Sequence, residues 1–193
     1  MNKRSGIESK KRIIDAALRL FSEYGYSKAS MRMISNAAGI SIGGLYLYFK
    51  NKDELYLTLI KSRLDELADM MRQSLKDIDD PAEAVSKFIS LHLAYAKRHR
   101  ELILVQGREH GFTFGISAKR KFFKTQRGFI EGIIRKGMRS GVFKKCNVNE
   151  TAKIIICTLR GFVLSLIVET DALFSPEECS SLILNGLKRR DKK

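Results

Sequence analysis

Proline occurs at only two of 193 positions, 81 and 176, and this scarcity constrains the fold more than any other feature. Each proline follows a residue that caps helices well, Asp80 or Ser175. There it can occupy a helical first turn, where no N–H is missed. Elsewhere apolar residues recur at intervals of three and four, and clean period-two alternation is missing outside one short stretch. The expected fold class is all-α.

The segments follow from that periodicity. Residues 9–24 carry apolar Ile13, Ala17, Leu20, Phe21 and Tyr24 on one stripe, with Gly25 as a stop. Ser30 caps a short helix, Met31 to Ala38, whose inward residues are expected to be Ile34, Ala37 and Ala38. A long helix is expected over 53–77, another over 82–98, then 117–140, 149–170 and a last one from Ser175. Residues 99–115 are ambiguous, because Gly107, Gly111 and Gly115 interrupt them.

The one stretch that resists is ISIGGLYLYFKNKDEL, residues 40–55. Propensity favours a strand across Leu45–Phe49. Spacing favours a helix from Ile42 to Phe49, because Leu45, Tyr48 and Phe49 then share one face at i, i+3 and i+4. A strand here would have no partner, so the helix is preferred, at about 1 kcal/mol for each of Gly43 and Gly44. That cost has a purpose if the helix backbone must approach another surface closely. Two short helices joined by Gly39-Ile40-Ser41 and resting on residues 9–24 form the outline of a helix-turn-helix.

Composition narrows the partners. The net charge is +15 and the pI about 9.9, which favours polyanions, nucleic acid above all. The charge is +5 over residues 1–54 and +10 over 55–193, so it does not locate the site. Cys146, Cys157 and Cys179 are odd in number and widely spaced, which fits free thiols in a reducing cytoplasm. The charged start of the chain shows no secretory signal, and the apolar run 154–168 contains Arg160 and falls short of the roughly twenty residues of a membrane span. A cytoplasmic location follows as the expectation.

The N-terminal residues resemble the DNA-binding region of the tetracycline-repressor (TetR) family. The likeness rests on IIDAALRLF, the YGY turn, AAGIS and LYLYFKNKDEL, between about residues 9 and 56. It implies three small DNA-binding helices, then a connecting helix into a helical domain for effector binding and dimerisation. The expected domains are 1–54 and 55–193. The resemblance places Ile42–Phe49 in the DNA major groove and implies DNA contacts from Ser30, Arg32, Ser41, Ile42, Gly43, Gly44, Tyr46, Leu47 and Lys52. Tyr46 and Lys52 match the family's phosphate-binding tyrosine and lysine. Ile42 and Gly44 depart from its pattern, which often has a basic or polar residue and Thr or Ser there. Ile42 suits a thymine methyl group, whereas the glycines offer only backbone.

Residues 55–193 carry fewer signals. The helix 149–170 is apolar nearly all round and needs cover on every side. One side can meet the protomer core and the other a second protomer, as the resemblance implies, or the helix can lie wholly buried in a monomer. A homodimer is the expectation, with Ile155, Phe162 and Val163 as interface candidates beside helix 117–140, although the pattern does not decide which face points outward. Candidate effector-pocket residues are Met70, His92, Tyr95, Phe112, Phe123, Gln126 and Phe162. Segment 119–145 holds ten Lys/Arg and one acid, Glu131. It reads as a solvated face or as an attractor for an anionic effector such as an acyl-coenzyme A. His92 and His99 lack acid or Cys neighbours at ligand spacing, so no metal and no cofactor is expected.

No Gly-rich phosphate loop, no HExxH and no paired carboxylates at a credible site point to an enzyme. The function expected from the resemblance is a ligand-responsive regulator, a repressor by the family's commoner mode. It would bind a palindromic operator as a homodimer and be released by a small apolar or amphiphilic effector. The alternatives are a DNA-binding regulator without an effector and a basic module for RNA or membrane surfaces.

Overall fold

The computed structural model describes residues 3–105, 115–168 and 175–188. Within them the helices are α1 (Lys3–Lys28), α2 (Met31–Ala37), α3 (Ile42–Tyr46), α4 (Lys52–Leu75), α5 (Pro81–Arg98), α6 (Arg100–Val105), α7 (Ile116–Arg139), α8 (Val148–Val168) and α9 (Pro176–Leu187). The all-α expectation holds, and an isolated bridge between Phe143 and Lys188 is the one extended pairing among these residues. The helix starts lie where cap chemistry put them. Ser30, Ser41, Asp80 and Ser175 each accept a backbone N–H from the first turn of the helix that follows.

The chain packs as two compact units. One comprises residues 1–64 with 101–116, the other 65–100 with 117–193. The packing boundary thus falls later than residue 54. Leu55, Tyr56, Leu59 and Ile60 of α4 are buried in the core of the first unit, together with Leu102 and Val105 of α6.

In that first core, Ile13, Ala16, Ala17, Leu20 and Phe21 of α1 meet Met31, Ile34, Ala38, Leu45 and Phe49. Phe21, Tyr26 and Tyr56 stack with centroids 5.0–5.4 Å apart. Two inward assignments from periodicity are corrected. Tyr24 is exposed, because α1 is already broken at Gly25 (φ 80°) and turns away there. Ala37 is exposed as well, and Ser35 is buried in its place with its hydroxyl bonded to the Arg32 carbonyl at 2.9 Å.

In the second unit α5 packs against α8 and α9. Its buried face carries Ala84, Val85, Phe88, Ile89, His92, Leu93 and Ala96. Helix α7 buries Phe122, Gln126, Ile130 and Ile134, a row at four-residue spacing, and then Gly137. A Cβ on Gly137 would lie 2.1 Å from the Phe143 ring, so this glycine makes the seat for that side chain. Phe143 N–H donates to the Gly137 carbonyl at 2.9 Å and Lys144 N–H to that of Leu187 at 3.0 Å, which ties the α7–α8 turn to the end of α9. Burying such a ring contributes about 1.5–3 kcal/mol.

The dimer-face residues expected on α8 are also corrected. Ile155 and Phe162 are fully buried inside the protomer and Val163 is half-buried. An all-round apolar helix does not reveal by pattern which face looks inward. Here Ala152, Ile155, Ile156, Leu159, Phe162 and Leu166 do, leaving Ile154 and Leu164 exposed.

Candidate nucleic-acid interface

The candidate interface is built on α2 and α3. Ser30 Oγ accepts from Met33 N at 3.2 Å, and Ser41 Oγ accepts from Gly44 N at 3.0 Å. Between the helices Gly39 adopts φ 65°, a conformation that costs a side-chain-bearing residue about 1 kcal/mol or more. Its N–H and that of Ile40 return to the carbonyls of Asn36 and Ser35 at 3.1 and 3.0 Å, closing α2. Ile40 is half-buried against the core, as a plug between the helices must be.

Helix α3 is shorter than the expected Ile42–Phe49. It ends at Tyr46, and Leu47 to Phe49 continue as a turn, with Tyr48 and Phe49 N–H both donating to the Leu45 carbonyl. Two glycines and five residues are poor helix material. What holds the segment is its anchors, Leu45 and Phe49, which are nearly inaccessible, with Tyr48 packed beside them. The opposite side faces out. Tyr46 is 50 % exposed, Leu47 81 % and Ile42 37 %, and a Cβ at Gly43 would meet nothing within 4 Å. A side chain at Gly44 would sit 3.0 Å from Ser41 Oγ, against the cap itself.

Ser30, the N-cap of α2, and Arg32, in its first turn, are exposed, as is Ser41. Helix N-termini favour phosphate through their free N–H groups and dipole. The arrangement therefore offers an outward helix with apolar and phenolic tips, flanked by anion-favouring helix starts.

Lys52 departs from the expected picture of a lysine reaching outward. It is half-buried, and its ammonium donates to the carbonyls of Tyr26 (2.7 Å), Ala29 (3.0 Å) and Ser27 (3.4 Å). It also lies 4.2 Å from the centre of the Tyr26 ring, within cation–π range. An ammonium has three donors, and all three have acceptors. The Tyr26 hydroxyl in turn donates to the Asp53 carboxylate. Asn51, which the sequence reading passed over, caps α4 through Glu54 N at 2.8 Å, while the Glu54 carboxylate accepts from Lys50 N. The Asn-x-x-Glu spacing was the available signal.

The expected pocket residues separate in the second unit. His92 and Gln126 are buried, and among the described residues neither His92 Nδ1 nor either amide atom of Gln126 has a hydrogen-bond partner. The His92 ring lies 6.3 Å from Phe122, which meets Phe123 edge to face at 5.2 Å, and the Arg160 guanidinium covers Phe123 at 3.7 Å. Burial first, and then the Arg160 charge, lower the His92 pKa to about 4, so its imidazole is neutral at pH 7. Phe162 is buried with Lys97 near its ring. Met70 is half-buried, and Tyr95 is turned to Glu66 and His99. Phe112 lies outside the described residues. A separate cleft of about 380 Å³, lined by Leu75, Ile78, Phe129 and Ile133 with Arg72 and Lys136 at its edge, contains none of the expected pocket residues.

Most cations of segment 119–145 are exposed, which makes it a solvated face. Its lone acid, Glu131, pairs with Arg127 and Arg135. No group of three metal-ligating side chains occurs among the described residues, and no helix there is long and apolar enough to cross a membrane.

The chain is similar to known proteins in sequence and in fold. Residues 13–59 match the model of the family described as bacterial regulatory proteins, tetR family. The fatty acid metabolism regulator protein of Bacillus subtilis is 28 % identical over 136 residues, which are 69 % of this chain and 70 % of that protein. The solved structure of FadR from B. subtilis in complex with stearoyl-CoA superposes with a TM-score of 0.72 at 24 % identity, covering 91 % of this chain and 95 % of that one. A TetR transcription regulator from Haloarcula marismortui gives 0.82 at 16 % identity, covering 94 % and 98 %.

Proposed function

We propose a function from one premise: the chain belongs to the TetR family of bacterial regulatory proteins. It is a ligand-responsive transcriptional regulator, a repressor that holds a palindromic operator as a homodimer and lets go when an amphiphilic effector binds. The observation that carries the DNA-binding part is the outward side of α3, where Ile42, Tyr46 and Leu47 stand exposed on a helix anchored by Leu45 and Phe49. A helix held from behind and open in front suits insertion into a major groove. Ser30, Arg32 and Tyr46 would meet phosphates, which position the protein, while Ile42 and Leu47 would meet base edges, thymine methyl groups included. The bare Gly43 backbone permits close approach. Lys52 serves the same surface indirectly, by fixing the start of α4 against the end of α1.

A single head reads a short half-site, so two must act together. Heads related by a two-fold axis reach successive major grooves when about 34–36 Å apart. Exposed Ile154 and Leu164 on α8 and Leu182 on α9 supply apolar surface for the second copy. The effector reading draws on the B. subtilis relative concerned with fatty acid metabolism and on the fold shared with a stearoyl-CoA complex. It also draws on the unsatisfied polar groups beside aromatic rings in the second unit. An effector that binds the DNA-incompetent form more tightly lowers DNA affinity, and DNA lowers effector affinity by the same factor.

The test is genomic footprinting, followed by titration of the recovered duplex and a scrambled one at fixed salt. A preference for the recovered palindrome of about a thousandfold or more is the specific behaviour expected. Equal affinity for both duplexes and for RNA would leave only a basic polyanion binder.

A further inference from the structure

Two buried side chains in the second unit have hydrogen-bonding capacity that nothing among the described residues uses. Gln126, on the buried row of α7, is fully inaccessible, and both its Nε2 and its Oε1 lack partners. His92, on the buried face of α5, is 3 % exposed and its Nδ1 lacks one. Buried polar groups are almost always satisfied, and each unmet one is costly. Nor are these groups isolated from one another. His92 is 6.3 Å from Phe122, and Gln126 follows Phe122 by one helical turn on the same face.

The chemistry of the pair says what would satisfy it. An amide with both ends free needs a partner that accepts and a partner that donates. Neither side chain is charged, so a carboxylate brought here would lose its hydration without a counter-charge, at a large cost. A cation is disfavoured by the nearby Arg160 guanidinium. The surroundings, Phe88, Phe122 and Phe123, are aromatic. The complementary ligand is therefore neutral at this depth, carries an acceptor and a donor close together, and is otherwise apolar. An acyl thioester on a pantetheine arm has that pattern: a thioester carbonyl, an amide N–H a few bonds away, and a fatty chain. Arg160 is exposed and lies over Phe123, where it can face an anionic remainder of the molecule.

We propose that Gln126 and His92 are the recognition pair for the thioester carbonyl and adjoining amide of a bound acyl-coenzyme A. This rests on the effector reading above and adds to it the residues and the functional group they recognise.

The experiment is calorimetric titration of the full chain with stearoyl-coenzyme A and with its thioether analogue, in which a methylene replaces the carbonyl. Wild type should bind the analogue about tenfold or more weakly, as expected when a buried donor is left unpaired. Gln126→Leu should bind the two ligands alike, because the discriminating amide is gone. Without ligand, Gln126→Leu should melt no lower than wild type, and about 2–4 °C higher as the cost of the unmet amide is relieved. Gln126→Met, unbranched, gives the same readings should the leucine variant fail to fold. Wild type binding both ligands equally would overturn the recognition pair and leave the effector reading standing. A lower melting temperature in both variants, with discrimination retained, would show that the amide serves the ligand-free fold, and would overturn it too. Failure of wild type to bind stearoyl-coenzyme A would end both readings together.

Discussion

The Lys52 ammonium sits 2.7 Å from the carbonyl oxygen of Tyr26 and 4.2 Å from the centre of that residue's ring. The first residue of α4 is thereby fastened to the segment where α1 breaks at Gly25. A lysine whose donors are occupied by carbonyls would act on the proposed DNA surface through geometry rather than through its own charge.

Lys52→Ala should therefore lower stability, by about 1–2 kcal/mol after allowing for its partial exposure. That is roughly 2–8 °C in melting temperature for a chain of this size. DNA affinity should fall while the slope of log K against log salt stays unchanged. A slope smaller by about one contact, with an unchanged melting temperature, would instead assign Lys52 to a phosphate.

Tyr46→Phe should behave oppositely. The ring is half-exposed, so melting should not move. If the hydroxyl donates to a phosphate, its loss costs about 0.5–1.5 kcal/mol, and affinity for operator and for scrambled duplex should fall together. A loss confined to the operator would point to base contact.

Gly137→Ala should destabilise by about 1–3 kcal/mol through overpacking, because its Cβ would overlap the Phe143 ring. Gly137→Ala combined with Phe143→Leu should recover part of that loss. Denaturant melts of the single and double variants measure it.

Acid should weaken the second unit through His92. Its folded pKa is lowered to about 4 against an ordinary 6.5, so between these values the unfolded chain holds the extra proton. The contribution is fully present above about 6.5 and is lost as pH falls toward 4. His92→Phe should flatten the stability profile across that window, while carboxylates govern the region below it. An unchanged profile would mean that His92 is protonated normally in the folded state.

Ile154→Glu with Leu182→Glu should yield monomers of about half the wild-type mass in sedimentation, with helicity intact and operator binding lost, because both residues are exposed. Ile155→Glu should unfold the protein instead, since that side chain is 1 % exposed. Double variants that remain dimeric would move the interface elsewhere.

Much of this molecule was legible in its sequence, and the pattern of success has a physical basis. Caps at Ser30, Ser41, Asp80 and Ser175 could be read because a cap is local chemistry, complete within four residues. The turn at Gly39 could be read for the same reason. Periodicity locates α8 but leaves its inward face open, and Ile155 and Phe162, candidates for the dimer face, lie inside the protomer. Direction depends on what a helix meets, and that information lies in α5. The same limit hid the seat that Gly137 makes for Phe143, and the turning of Lys52 toward carbonyls more than twenty residues earlier. The family resemblance supplied a role for Lys52 but not the conformation of its side chain.

The central claim is that this chain holds a specific DNA site and gives it up to an acyl-coenzyme A. One measurement addresses it: the affinity of the purified protein for its footprinted operator, at fixed salt, with and without saturating stearoyl-coenzyme A. Ligand-controlled release predicts a weakening of about 5- to 150-fold, with scrambled duplex bound far more weakly throughout. An operator affinity that does not change with the ligand would contradict the account.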